Sequence, residues 1–169
     1  YVDQLLLGED QSRRGVEDIF AYVDRDAQLS LAARLWIIQD GEAHGALEAG
    51  GDQGVESRLA TLAADGEMGL SIRPRRVGEV YAQLLEQGCS YAPALTVGEA
   101  ELTAAGYAVF AGEHLAGFLE GESARGLELL LGCPMAEVVE IPLPNGRVAV
   151  RITGARTISR FGGPDGEIK

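Results

Sequence analysis

The chain has 169 residues, 46% of them hydrophobic, enough to bury one substantial core or two small ones, so a disordered chain is excluded. A formal net charge of −12 and a pI near 4.5 argue against a nucleic-acid reader. A phosphate backbone calls for a clustered basic face, whereas these 14 basic residues, all arginine except Lys169, are scattered.

Val2 to Leu7 reads as a buried strand, with Tyr1 to Leu7 resembling the middle of an element more than a natural start. Gly8-Glu9-Asp10-Gln11-Ser12 supplies turn and N-cap chemistry for a helix from about Arg13 to Tyr22, with Val16, Ile19, Phe20 and Val23 on one stripe. Leu31 to Ile38 fits a second strand covered on both faces, which makes residues 2–38 a β-α-β unit if the strands are parallel.

Glu42 to Glu48 forms a short helix ended by Gly50-Gly51. Val55 to Ala64 forms another, with Val55, Leu59, Leu62 and Ala63 apolar and Gly66 as its stop. Arg73, Arg75 and Arg76 bunch in the loop around Pro74 and read as a solvated loop in preference to an anion site. A helix from Val77 to Glu86 then turns Val77, Val80, Tyr81, Leu84 and Leu85 inward, and Gly88 caps it.

From Tyr91 the texture becomes strand-like, in pieces around Ala94 to Val97, Glu99 to Phe110, Leu115 to Leu119, Val138 to Ile141 and Val148 to Ile158. Pro144-Asn145-Gly146 is a hairpin signal, because Asn-Gly tolerates the positive φ of a tight turn. One helix, Glu122 to Leu131, interrupts with Leu127, Leu130 and Leu131 as its apolar residues. The fold class is therefore α+β, a helix-rich first part with a small sheet and then a sheet-rich part with one main helix. The domains expected are residues 1–92, residues 93–162, and a linker or the start of a third domain at 163–169.

Reactive chemistry finds little support. His44 and His114 lie far apart without HxxxH or HExxH spacing and read as surface residues. Cys89 and Cys133 lack CxxC spacing and read as two small buried thiols, able to bridge only in an oxidising compartment. Glu120, Glu122 and Glu128 lack the alternating oxygen ligands of a Ca²⁺ loop, and a glutamate at a helix start already complements the helix dipole. Ser12, Ser123 and Ser159 have no GxSxG turn, and Gly50-Gly51 and Gly162-Gly163 belong to no phosphate-binding motif. Arg25 between Asp24 and Asp26 reads as surface charge pairing. No catalytic residue, cofactor or metal site is expected.

The most specific pattern is Gly106-Tyr107-Ala108-Val109-Phe110, Leu115-Ala116-Gly117-Phe118-Leu119, Glu122-Ser123-Ala124-Arg125-Gly126 and Gly132. With Leu7-Gly8-Glu9, Arg25-Asp26, Pro93 and Ile141-Pro142-Leu143-Pro144-Asn145-Gly146, it resembles the Ger(x)C family, the C subunits of bacterial spore germinant receptors. The resemblance runs over nearly the whole chain and marks Gly106, Phe110, Gly117, Phe118, Leu119, Arg125 and Gly126 as structural positions. Gly106 and Gly117 are expected to permit close backbone approach, Phe110 and Phe118 to fill the core, and Arg125 to tie down the helix start.

What the resemblance implies is a non-enzymatic lipoprotein subunit on the outer face of the spore inner membrane, acting with membrane-embedded A and B subunits in nutrient sensing. It also implies that the chain begins inside the first domain, lacks the family's lipid-bearing cysteine, and stops where a large final domain starts near Phe161. Two other classes remain: a domain that binds the germinant itself, and a hydrolase using Glu120 and Glu122.

Overall fold

A computed structural model describes residues 2–26, 28–49, 54–98, 101–131, 137–143 and 146–152; of 137–143 and 149–152 only the backbone is described. The fold is α+β. The chain divides into two compact units, Tyr1–Ala124 and Arg125–Lys169. Position 92, where the sequence places its first domain end, lies inside a strand of the first unit.

The first unit is built on a six-stranded mixed sheet. Strand β1 (Gln4–Gly8) leads into helices α1 (Glu9–Arg14) and α2 (Glu17–Arg25), then to β2 (Arg34–Gln39), which pairs with β1 in parallel, Gln4 opposite Arg34 and Gly8 opposite Ile38. The β-α-β reading is thereby met. The single helix expected from Arg13 to Tyr22 is instead two. Gly15 has φ 137°, and the Val16 N–H turns away to donate to the Glu113 carbonyl at 3.0 Å. The tip of a distant hairpin has thus captured a donor that a continuous helix would have used. Ser12 sits within α1, where its hydroxyl donates to the Gly8 carbonyl at 3.0 Å, and is no N-cap.

Residues Leu31 to Ala33 also depart from the expected strand. The Leu31 and Ala33 carbonyls accept the first N–H groups of α5 (Val77–Gln87), from Gly78 and Val77, each at 2.9 Å. That helix start therefore takes its cap from the neighbouring chain. Helix α3 (Ala43–Glu48) and helix α4 (Gly54–Glu67) follow β2. Gly66 does not end α4 but lies buried within it: a Cβ there would stand 2.2 Å from the Ile72 carbonyl oxygen, so the returning chain crosses this point. Along α5, Val77 and Val80 are buried and Gly88 caps the helix at φ 68°. Leu85 is 66% exposed, because one residue past Leu84 it falls off the apolar stripe.

The two-residue β3 (Arg75–Arg76) pairs antiparallel with the first residues of β2, and β4 (Cys89–Val97) pairs in parallel with its last three. Since β1 occupies the other edge of β2 from Arg34 to Ile38, β3 fills the length of edge that β4 leaves. Pro93, which has no N–H to give, falls where β4 has not yet met β2. β5 (Leu102–Ala111) and β6 (His114–Leu119) complete the sheet as antiparallel neighbours around a turn at Gly112 and Glu113. Helix α6 (Gly121–Leu130) follows.

Strand alternation divides the sheet into two buried faces. Leu35, Ile37, Ala92, Ala94, Ala108 and Phe110 pack with Val16, with Phe20 and Val23 of α2 and with Val77 and Val80 of α5. Trp36 and Ile38 point the other way and are fully buried as well. On α4, Leu59, Leu62 and Ala63 are buried, and the Arg58 guanidinium donates to the Leu102 carbonyl at 2.8 Å. In the second unit, β7 (Glu137–Leu143) pairs antiparallel with β8 (Gly146–Ile152), Leu143 opposite Gly146, as the hairpin signal predicts. Cys133, Gly132, Gly50-Gly51, Ser159 and the 163–169 segment fall outside the described residues.

Candidate functional site

The motif positions converge on the β5–β6 hairpin. Ala94 pairs with Gly106 and Leu95 with Ala104, so Ala105 is an extra residue in a β-bulge. Gly106 at the bulge has φ 138°, and a Cβ there would lie 2.0 Å from the Leu119 carbonyl oxygen and 3.2 Å from the Glu120 Cα. Only glycine lets the end of β6 pass so close over β5. Gly117 behaves differently. Nothing lies within 4 Å of the Cβ it lacks, so no close approach is made there.

Phe110 is fully buried, and Phe118 is partly buried against the same cluster. The Glu120 carbonyl accepts the Ser123 and Ala124 N–H groups at 3.0 and 3.3 Å, which starts α6, and Arg125 is exposed on that helix. Glu122 is exposed in its first turn, as a dipole-complementing residue would be. Glu128 departs from the helix-start account: it lies further along and is only 3% exposed. Leu130 and Leu131, expected on the apolar face, are exposed.

The Glu120 carboxylate accepts a hydrogen bond from Gln39 Nε2 at the end of β2, while Gln39 Oε1 is buried without a partner. Among the described residues no three His, Cys, Asp or Glu side chains gather to hold a metal. His44 pairs loosely with Glu48 at 3.6 Å, and His114 Nδ1 lies 3.1 Å from the Arg13 carbonyl; both histidines are exposed. Cys89 is a free, exposed thiol, not a buried one.

The arginine trio needs correction at one position. Arg73 and Arg76 are exposed, but the Arg75 side chain is only 11% exposed. Its guanidinium donates to Gln83 Oε1 and the Tyr91 carbonyl at 2.8 Å each and to Ser90 Oγ at 3.3 Å, and lies 4.1 Å from the Tyr91 ring centroid. It thus satisfies a β4 carbonyl where β4 has separated from β2. Sequence reasoning missed this role, because it depends on the pairing of β3 and not on local composition.

Around the carboxyl ends of β1 and β2, Glu9 accepts the Asp40 N–H at 2.9 Å and a guanidinium hydrogen bond from Arg13 at 2.8 Å. The Asp40 N–H, and secondarily Arg13, hold the Glu9 carboxyl below the usual glutamate range despite the opposing effect of partial burial. Asp40 itself takes φ 53°, the one positive value among described non-glycine residues. At the end of α2, Asp26 caps its own turn by accepting the Gln28 N–H at 2.8 Å, and Arg25 donates to the Ala21 carbonyl. These are local caps in place of the expected pairing between Arg25 and its neighbours.

These features define a structural module: a mixed sheet covered on both faces, with its most constrained residue at a backbone crossing. The chain is similar to the GerBC protein, whose crystal structure it matches with a TM-score of 0.66 at 17% sequence identity. The match covers 90% of this chain and 44% of that one, so the chain spans less than half the length of GerBC. The fold is thus GerBC-like, in line with the Ger(x)C likeness of the motif residues. No family model and no curated protein matches the chain.

Proposed function

We propose that the chain is part of a non-enzymatic C subunit of a spore germinant receptor, serving nutrient-triggered germination as an assembly module for A and B subunits. The observation that carries this reading is the GerBC-like fold over 90% of the chain. It is supported by Gly106, the motif glycine, standing where no other residue fits. Gly106 and Leu119 make the crossing and Phe110 and Phe118 pack in the core cluster, while the close approach expected at Gly117 is not made, and Arg125 and Gly126 are motif positions whose roles are assigned from the resemblance alone.

In this reading the parent protein is held at the outer face of the spore inner membrane by an N-terminal acyl group. No helix among the described residues is long and apolar enough to cross a membrane. With a net charge of −12, direct adhesion to an anionic bilayer is unfavourable, so attachment falls to the lipid and to partner proteins. The test is co-purification of the full-length protein, tagged, with its A and B subunits from spores. Recovery of both supports the assembly role; recovery of neither, with the protein intact and membrane-bound, refutes it.

A further inference from the structure

Asp40 combines three properties that no other described residue shares. It is the one non-glycine residue there with a positive φ, 53°, it is exposed, and a glycine follows it. It lies in the turn between the end of β2 at Gln39 and the start of α3 at Ala43. Its backbone N–H donates to Glu9 Oε2 at 2.9 Å, whereas its own carboxyl makes no hydrogen bond or ion pair among the described residues.

An aspartate carboxyl next to a glycine amide is a reactive pair, because no side chain on the following residue obstructs the approach of that nitrogen to Cγ. The sequence holds three Asp-Gly pairs, at 40–41, 65–66 and 165–166, of which the last lies outside the described residues. Asp65 and Gly66 are inside α4. Bringing the Gly66 nitrogen onto Asp65 Cγ needs a rotation that breaks helical hydrogen bonding, so the reacting atoms are held apart. Gly66 has no room to turn either, with the Ile72 carbonyl oxygen 2.2 Å from where a Cβ would stand. Gly41 is held more loosely: its carbonyl accepts the Glu9 N–H at 3.3 Å, and a Cβ on it would meet no listed neighbour closer than the Ile38 Cγ2 at 3.4 Å. The left-handed conformation of Asp40 is one that L residues rarely adopt, so leaving it costs less than leaving a helix.

We propose that Asp40–Gly41 is a site of spontaneous modification, at which aspartate converts to isoaspartate through a cyclic imide. The Gly41 nitrogen bonds to Asp40 Cγ, and the amide proton leaves with the carboxyl hydroxyl as water. Water then re-enters at either imide carbonyl. Cleavage of the Cγ–N bond restores aspartate, and cleavage of the bond from nitrogen to the Asp40 backbone carbonyl carbon leaves isoaspartate, with the main chain routed through Cβ and Cγ. No oxidant, reductant or cofactor is consumed. The product lengthens the turn by one carbon between the Asp40 N–H and the Gly41 carbonyl, the two groups that tie the end of β2 to Glu9. The inference concerns the chain's own chemistry and does not rest on the assembly role proposed above.

In the experiment, the intact chain is aged at physiological temperature in mildly acidic buffer made with heavy-oxygen water, both folded and in urea. Digestion and mass spectrometry with electron-transfer fragmentation then distinguish isoaspartate from aspartate in each peptide. In the folded chain the 40–41 peptide is expected to gain heavy oxygen and isoaspartate at least about tenfold faster than the 65–66 peptide, and in urea the two are expected to react within about twofold of each other. Gly41→Ala is expected to slow the reaction at 40–41 by about tenfold, folded or in urea, because its methyl group crowds the attacking nitrogen. Equal rates at 40–41 and 65–66 in the folded chain, a tenfold difference that persists in urea, or Gly41→Ala reacting as fast as the parent would each overturn the inference.

Discussion

Replacing Gly106 by alanine adds one methyl group where the structure has no room for it. Its Cβ would stand 2.0 Å from the Leu119 carbonyl oxygen, which is backbone and cannot rotate aside, and the residue would have to hold φ 138°. A non-glycine residue in a sparsely populated region costs about 1–3 kcal/mol, and overpacking a closed site a further 1–3 kcal/mol or so, for a total on the order of 2–6 kcal/mol. Against a total stability of about 5–15 kcal/mol, that is a large fraction. Urea unfolding followed by circular dichroism measures it, with Gly117→Ala as the matched control, since that Cβ meets nothing within 4 Å. The control is expected to stay within about 0.5 kcal/mol of the parent or to gain slightly from reduced chain entropy. If Gly106→Ala also unfolded within about 0.5 kcal/mol of the parent, the crossing would not be the tight point it is described as.

Further outcomes can be stated from the same geometry. Gly66→Ala should destabilise by about 1–3 kcal/mol despite alanine's higher helix propensity, because its Cβ would lie 2.2 Å from the Ile72 carbonyl oxygen; a rise in melting temperature would contradict this. Arg75→Met should cost about 1–3 kcal/mol by removing the guanidinium hydrogen bonds to the Tyr91 carbonyl, Gln83 and Ser90, and Arg75→Lys should restore little, lacking the planar fork; full rescue by lysine in thermal unfolding counts against the role. Because the Glu9 pKa is lowered in the folded state, its stabilising contribution is present above the ordinary value of 4.5 and is lost as the pH falls through the folded value. The stability gap between the parent and Glu9→Gln should therefore be constant at neutral pH and close in acid; a gap that widened below 4.5 would reverse the sign. Finally, under the proposed lipid-anchored reading, the full-length protein without its acyl group should not bind protein-free anionic vesicles, and its retention on them would contradict the electrostatic argument.

Much of the framework was legible in the sequence because apolar periodicity is local. The stripe Val16, Ile19, Phe20, Val23 and the run Leu31 to Ile38 announce a helix and a doubly covered strand whatever lies elsewhere, although the strand itself starts only at Arg34. The break at Gly15 was hidden, because it depends on Glu113, which lies 97 positions beyond Val16, the residue it holds. Arg75 reads as one of three neighbouring loop arginines until β3 is known to pair with β2. At the candidate site, the Gly106 requirement was visible as a motif, whereas Gly117, identical in type, carries no such constraint once the bulge is located.

The hairpin tip at 112–113 also reaches back to the α5 cap, where the Gly112 N–H donates to the Gly88 carbonyl at 2.7 Å, while Glu113 holds Val16. Two early portions of the chain are thereby clasped by a piece synthesised much later. On the ribosome, the amino-terminal hundred or so residues would emerge with Phe20, Ala92 and Ala94 still lacking Ala108, Phe110 and Leu115, so the core closes only after the hairpin has left the exit tunnel. A stalled nascent chain ending before residue 112 should accordingly remain open to protease, and one long enough to carry the hairpin clear of the tunnel should resist it.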